Sequence, residues 1–436
     1  MINMNWEVEH LIENLNSKDK KVRLCSLSEL MKKVEIGQIN LPPKSSVINN
    51  HIHTFYSFSP YSPSKAIWMA KNSGLPTAGI MDHDTIAGAL EFIEAGKIAQ
   101  IATTIGVECR ADFSKTPLNG KKINNPDQDS IAYIAIHGIP HTEIDTVTNY
   151  FTPYLKKRVQ RNKLMVERIN ELLRSYDIHL DFEEDVANNS MYFDGGSITE
   201  RHILFALSKK LIEKFGKGTR LIEFLKNELE IELRPKVEKN LLELENPYYE
   251  YDLLGALKSD FTPRFYIKAS EECPDIKELV EFSERIGAII AYAYLGDVTE
   301  SVTGDKPSEK FEDEYLDLLF EVLNDLGIKA VTYMPSRNTL QQLQRVRKLC
   351  ERYNFLQISG EDINSPRQSF VCEALKNEEF KNLIDTTWAL IGHEIMATYD
   401  KNLGFFSKKM QQKFPDLKER ISYFKQIGLS EWKNTF

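Results

Sequence analysis

The chain has 436 residues, 42% of them apolar, with 55 Lys and Arg against 64 Asp and Glu for a net charge of −9. That size and apolar content suit a globular enzyme of two or three domains, or one barrel with additions, and the acidic balance disfavours a nonspecific nucleic-acid binder. Five scattered cysteines (Cys25, Cys109, Cys273, Cys350 and Cys372) form no C-x-x-C pair, which argues against a zinc ribbon or a disulfide framework and predicts reduced thiols in a cytoplasmic protein with neither a secretory leader nor a membrane span.

Residues 1–45 read as a helical extension. Trp6, Val8, Leu11, Ile12 and Leu15 recur at helical spacing, as do Val22, Leu24, Leu27, Leu30 and Met31. Ser17 is the expected cap of the second helix, and Leu41-Pro42-Pro43 ends the segment. From Val47 the pattern alternates. A strand over 47–52, a helix over 64–73, a strand over 77–81, a helix over 85–99, and strands over 103–107 and 131–136 are predicted. Residues 145–260 read as a mainly helical insertion, with helices over 151–174 and 199–215. Strands follow over 288–295, 330–334 and 355–359, and 371–436 reads as a helical C-terminal extension. Strands alternating with helices imply a parallel sheet covered by helices over residues 46–370, with chemistry at the C-terminal strand ends.

The chemistry-bearing residues fall at those ends. His51 and His53 are i and i+2 on the first strand, so both imidazoles project to one side. Two such imidazoles make half of a first-row metal site. Asp82-His83, Glu108 after Gly106-Val107, His137 after Ala135-Ile136, and Asp362 after Ser359-Gly360-Glu361 follow other strands. The metal-ligand set is therefore His51, His53, His83, Glu108, His137 and Asp362, with Glu108 bridging, and Asp82, His83 and Glu108 are the candidate catalytic groups. Arg201, His202, Arg337, Asn364 and Arg367 are the candidate substrate contacts, the arginines because a planar fork matches phosphate oxygens. Neutral imidazoles with carboxylates suit Mn, Fe or Zn, and such ions lower the pKa of bound water and offset phosphoryl charge. There is no nucleophile elbow, P-loop or dinucleotide glycine fingerprint.

His51-Ile52-His53-Thr54, Met81-Asp82-His83-Asp84, Gly106-Val107-Glu108, Ala135-Ile136-His137 and Ser359-Gly360-Glu361-Asp362 together resemble the ordered motifs of the PHP (polymerase and histidinol phosphatase) family over residues 45–370. Arg201-His202 with Ala206-Leu207 is similar to a segment of its smaller nucleotide-phosphoesterase members. The resemblance implies a distorted (β/α)7 TIM-like barrel holding two or three divalent ions and hydrolysing a phosphoester of a small substrate such as a nucleotide or sugar phosphate. It implies His51, His53, Glu108 and Asp362 on one ion, Glu108 and His137 on a second, and His83 at a third with Asp82 behind it. Three places depart from the pattern. Ser57-Phe58 stands where an acid or histidine is usual, Ala291–Asp297 replaces Ala-His-Pro, and the closing Asp-x-His is Asp362-Ile363-Asn364. Asp297 or a neighbouring tyrosine is the available compensation. Two other readings stay open: a C–N hydrolase of amidohydrolase type, and a metal- or ligand-binding module without turnover. A homo-oligomer is equally open.

Overall fold

The computed structural model describes residues 2–298 and 310–435. The helices are α1 (Ile2–Asn14), α2 (Lys20–Glu35), α3 (Pro63–Asn72), α4 (Ala89–Ala99), α5 (Ile144–Leu173), α6 (Glu200–Phe215), α7 (Thr219–Asn227), α8 (Pro235–Leu242), α9 (Tyr249–Asp260), α10 (Thr262–Phe265), α11 (Ile276–Ile286), α12 (Leu316–Leu326), α13 (Leu340–Tyr353), α14 (Lys381–Tyr399), α15 (Lys408–Lys413) and α16 (Leu417–Thr435). The strands are β1 (Thr77–His83), β2 (Ala102–Asp112), β3 (Ile131–His137), β4 (Ile289–Tyr294), β5 (Ala330–Tyr333) and β6 (Leu356–Ser359). Among the described residues none of these helices is long and apolar enough to cross a membrane.

The strands form one curled sheet in sequence order, β1 to β6. It is mixed, not wholly parallel: β3 runs antiparallel to both β2 and β4. The expected strand at 47–52 is not a regular strand. Only Ile52 bridges, pairing with Ile80 of β1 on one side and Ile363 beyond β6 on the other, and that double bridge joins the two edges of the sheet. The reason is local. Asn49 and Asn50 spend their side-chain amides on the carbonyls of Glu361 and Ser359, at 3.1 and 2.7 Å, which competes with regular pairing.

Alternation gives the sheet two faces. Ile134, Ile136, Tyr292, Tyr294, Val331 and Tyr333 pack outward among Phe282, Phe320 and other helical side chains. Ile289, Ala291, Ala330, Leu356 and Ile358 face inward and pack on Ala389 and Leu390 of α14. Glu394 of α14 accepts the Ile105 N–H at 2.8 Å, and Thr387 receives the Asn50 amide at 2.8 Å. The C-terminal helices thus form the floor of the ring.

Two boundaries differ from expectation for chemical reasons. Asp19, not Ser17, caps α2, accepting from Lys21 N at 2.8 Å. The helix expected from Thr85 starts at Ala89, because the Thr85 hydroxyl accepts from Ala87 N and donates to the Gly195 carbonyl at 2.6 Å. The helical segment from α5 to α10 has an apolar core of its own, built from residues such as Leu204, Leu207, Leu225, Leu253 and Phe261, into which Phe58 inserts.

Candidate metal centre

β1 and β2 pair in parallel with His83 opposite Glu108, and the Ile52 bridge sets His51 and His53 beside them. His51 Nε2 and His53 Nε2 lie 3.2 Å apart. His51 Nε2 is 3.7 Å from Glu108 Oε1, while His53 Nε2 and His83 Nδ1 are 3.8 and 3.0 Å from Glu108 Oε2. Asp362 Oδ1 is 3.1 Å from His53 Nε2. The ligand atoms of His51, His53 and Glu108 all fall within 4.8 Å of one another, all on buried residues.

His137 sits deeper than the strand-end pattern suggests. Because β3 is antiparallel, its last residue pairs with Ile289, the first of β4, and lies below the level of Glu108. It is fully buried, and its Nε2 has no hydrogen-bond partner. Burial, reinforced by the charge of His51, pushes its pKa down to about 3, so the ring stays neutral with a lone pair to offer.

Electrostatics match a cation-binding set. Burial would raise the Glu108 carboxyl, but His51 and His83 hold it well below the usual carboxylate range. Burial likewise opposes ionisation of Asp362, yet His53, His51 and Arg201 hold it down. Burial and the neighbouring His53 keep His83 below its ordinary value. The unpartnered His137 nitrogen, which feels the Glu108 charge from below, adds to a set of imidazoles and ionised carboxylates that a borderline divalent ion fits.

Asp82 was expected among the reacting groups, but its oxygens are occupied. They accept Thr54 N, Thr54 Oγ1 and Ser57 Oγ, each at 2.6 Å. Ser57 Oγ also lies 3.4 Å from His53 Nδ1, so Asp82 and Ser57 orient the His53 ring from behind.

The substrate candidates separate. Arg201, half-buried and electrostatically coupled to Asp362, makes no hydrogen bond or ion pair among the described residues. The others are committed elsewhere. His202 accepts the Thr199 N–H at 3.0 Å as part of the α6 capping box, with its ring edge-on to Phe58. Arg337 donates to the Leu295 carbonyl at 3.1 Å. Asn364 donates to Asp362 Oδ1 at 2.6 Å. Arg367 forks onto Asp252 at 2.7 Å through two bonds.

At the departing positions Phe58, Tyr294 and Asp297 are engaged away from the cluster. Phe58 is buried with Phe205 and Tyr251. Tyr294 donates outward to Asp313 at 2.6 Å, and Asp297 accepts Phe311 N at 2.7 Å.

A buried charge network next to the centre was not anticipated. Arg158 pairs with Asp84, while Arg110 and Arg161 share Glu200 and Glu272. It joins β2 and the loop after β1 to α5 and α6. The i, i+3 spacing of Arg158 and Arg161 places both on one face of α5, which was the available signal.

A family model, the PHP domain, matches residues 49–329. The chain belongs to the PHP domain family. The matched span ends before Asp362. Two solved structures resemble this PHP chain. A provisionally named metal-dependent phosphoesterase from Bifidobacterium adolescentis shares 18% identity, covering 78% of this chain and 98% of its own, with a TM-score of 0.49. An amidohydrolase from Chromobacterium violaceum, solved with sulfate and no metal, shares 15% identity over 75% of this chain and 90% of its own, with a TM-score of 0.50. At such identities the likeness concerns the fold. No curated protein matches the chain.

Proposed function

We propose that this PHP protein is a metal-dependent hydrolase cleaving a phosphoester of a small phosphorylated metabolite, a nucleotide or a sugar phosphate. What carries the reading is the meeting of His51, His53, Glu108 and Asp362 above the unpartnered His137 and beside the uncommitted Arg201.

His51, His53, Glu108 and Asp362 would hold one ion, and Glu108 with His137 a second. The two Glu108 oxygens face different imidazoles, Oε1 toward His51 and Oε2 toward His53 and His83, which suits a bridge. Divalent ions there, Mn, Fe or Zn, would lower the pKa of a water and offset charge on the phosphoryl group. Arg201 would present its fork to the phosphate oxygens and fix the ester against the cluster. His83, with a side chain 20% exposed against 1% for His53, is the imidazole on the open side. Neutral at pH 7, it would accept a proton as attack proceeds or pass one to the leaving oxygen. The helical segment from α5 to α10 would cover the mouth and select the substrate. The free thiols fit a cytoplasmic setting.

The test is phosphate release by the manganese-loaded protein over nucleotides, sugar phosphates and histidinol phosphate, with His53→Ala alongside. Release by the native protein and none by the variant is expected. Stoichiometric metal without release from any ester would overturn the reading.

A further inference from the structure

Asp362 reaches the cluster from a loop that is tied in two directions. Within the loop, Gln368 Nε2 donates to the Asp362 carbonyl at 2.6 Å, and its Oε1 accepts the N–H groups of Asn364 and Ser365, both at 2.8 Å. Toward the ring, His53 N donates to the Ile363 carbonyl at 3.0 Å and Ile363 N to the His51 carbonyl at 3.1 Å. Gly360 permits this approach, since a Cβ there would lie 2.6 Å from His51 Cβ.

Arg367, next to Gln368, leaves the loop altogether. Its Nε and Nη2 donate to Oδ1 and Oδ2 of Asp252 on α9, both at 2.7 Å. Nη2 also reaches Asn246 Oδ1 at 3.2 Å, and Asn246 Nδ2 donates to Asp252 Oδ2 at 2.8 Å. The guanidinium lies over the Tyr248 ring, 5.2 Å from its centroid. The Asp252 side chain is 9% exposed and that of Arg367 37%, so the pair is covered from the Asp252 side and open on the other, and its weight lies in its two-bond geometry and its further partners. A bidentate fork fixes orientation as well as distance.

We propose that Asp252 is a positioning residue for Asp362. The Asp252–Arg367 fork seats the 362–368 loop so that the Asp362 carboxylate faces His53, which makes ion binding and docking of the helical segment one linked equilibrium. This rests on Asp362 being a metal ligand. Linkage requires reciprocity: the ion favours the docked segment by as much as docking favours the ion.

Cobalt(II) titration of the full chain, followed by d–d absorption with limited proteolysis in parallel, tests this. Asp252→Asn keeps the shape but removes the charge and one acceptor. It is expected to weaken cobalt affinity about tenfold, the low end of what loss of a group bonded directly to a metal ligand costs, because Asp252 acts on Asp362 through Arg367 and the loop, and to change the absorption band. Asp252→Glu is expected to recover both. Cobalt should slow proteolytic cleavage between 215 and 265 in the native protein and not in Asp252→Asn. Should Asp252→Asn fold poorly, Arg367→Lys breaks the fork while keeping the charge and is expected to show the same weakening. Native affinity and band in a folded Asp252→Asn or Arg367→Lys protein would overturn the proposal and leave the metal centre standing. A native protein that binds no cobalt would overturn the centre itself, and this inference with it.

Discussion

Arg201 and Arg367 look alike in sequence, each polar and near a segment of the site, yet they end in opposite roles. Arg367 finds Asp252, 115 residues away, while Arg201 keeps its donors open beside Asp362. Arg201→Ala is therefore expected to raise KM for a phosphoester by about tenfold or more, the worth of one charge-assisted fork, with metal content unchanged; steady-state kinetics with metal analysis checks it. The histidines near Asp82 and Glu108 were legible because short-range alternation and strand-end position suffice to aim them. Arg158 was not, because its partner Asp84 is 74 residues off and only folding brings them together. His393 shows a different use of the residue. Its Nε2 donates to the Gly138 carbonyl at 3.0 Å and its Nδ1 accepts Phe405 N at 2.9 Å, a neutral ring whose pKa burial pushes down to about 4. Between pH 4 and the ordinary value near 6.5 the unfolded chain binds the extra proton, so stability is full above pH 6.5 and falls as pH drops through that window. His393→Gln should flatten the pH dependence of the unfolding free energy between pH 7 and 5, measured by denaturant titration, by up to about 1.4 kcal/mol per pH unit; an unchanged pH slope would contradict the assignment.

The elements with strong periodicity were readable as elements, among them β1, β2 and α5, but not at their ends: α5 begins at Ile144 rather than 151, β2 runs on to Asp112 rather than 107, and α4 starts late because Thr85 captures the backbone before it. Strand direction was not readable. β3 carries the same apolar pattern in either sense, so its antiparallel course and the depth of His137 came only from the assembled sheet. The segment before β1 misled for a related reason: Val47–Ile52 has strand composition, but two adjacent asparagines take over its bonding. At the C-terminus α14 and α16 cross backbone to backbone. A Cβ at Gly428 would lie 2.2 Å from the Trp388 carbonyl oxygen, and one at Gly392 2.0 Å from that of Phe424. Backbone cannot move aside as a flexible side chain does, so Gly428→Ala is expected to destabilise by about 1–3 kcal/mol, the usual cost of overpacking. A midpoint equal to that of the native protein would show that the helices slide freely.

Across the whole molecule the floor and the mouth both act on one cluster. Thr387 of α14 holds Asn50, the residue before His51, from below. The helical segment reaches the same cluster from above, through Arg158 on Asp84 and Asp252 on Arg367. A ring closed by a single bridging residue, Ile52, depends on such outside support to keep His51 and His53 aligned. The central claim is that these residues form a metal centre in which Glu108 is shared. Metal content per chain after manganese loading and desalting, measured for the native protein, Glu108→Ala and His137→Ala, tests it most directly. Two ions in the native protein, about one in His137→Ala and neither retained in Glu108→Ala are expected for a bridged pair. A Glu108→Ala protein that keeps its full complement of metal would contradict it.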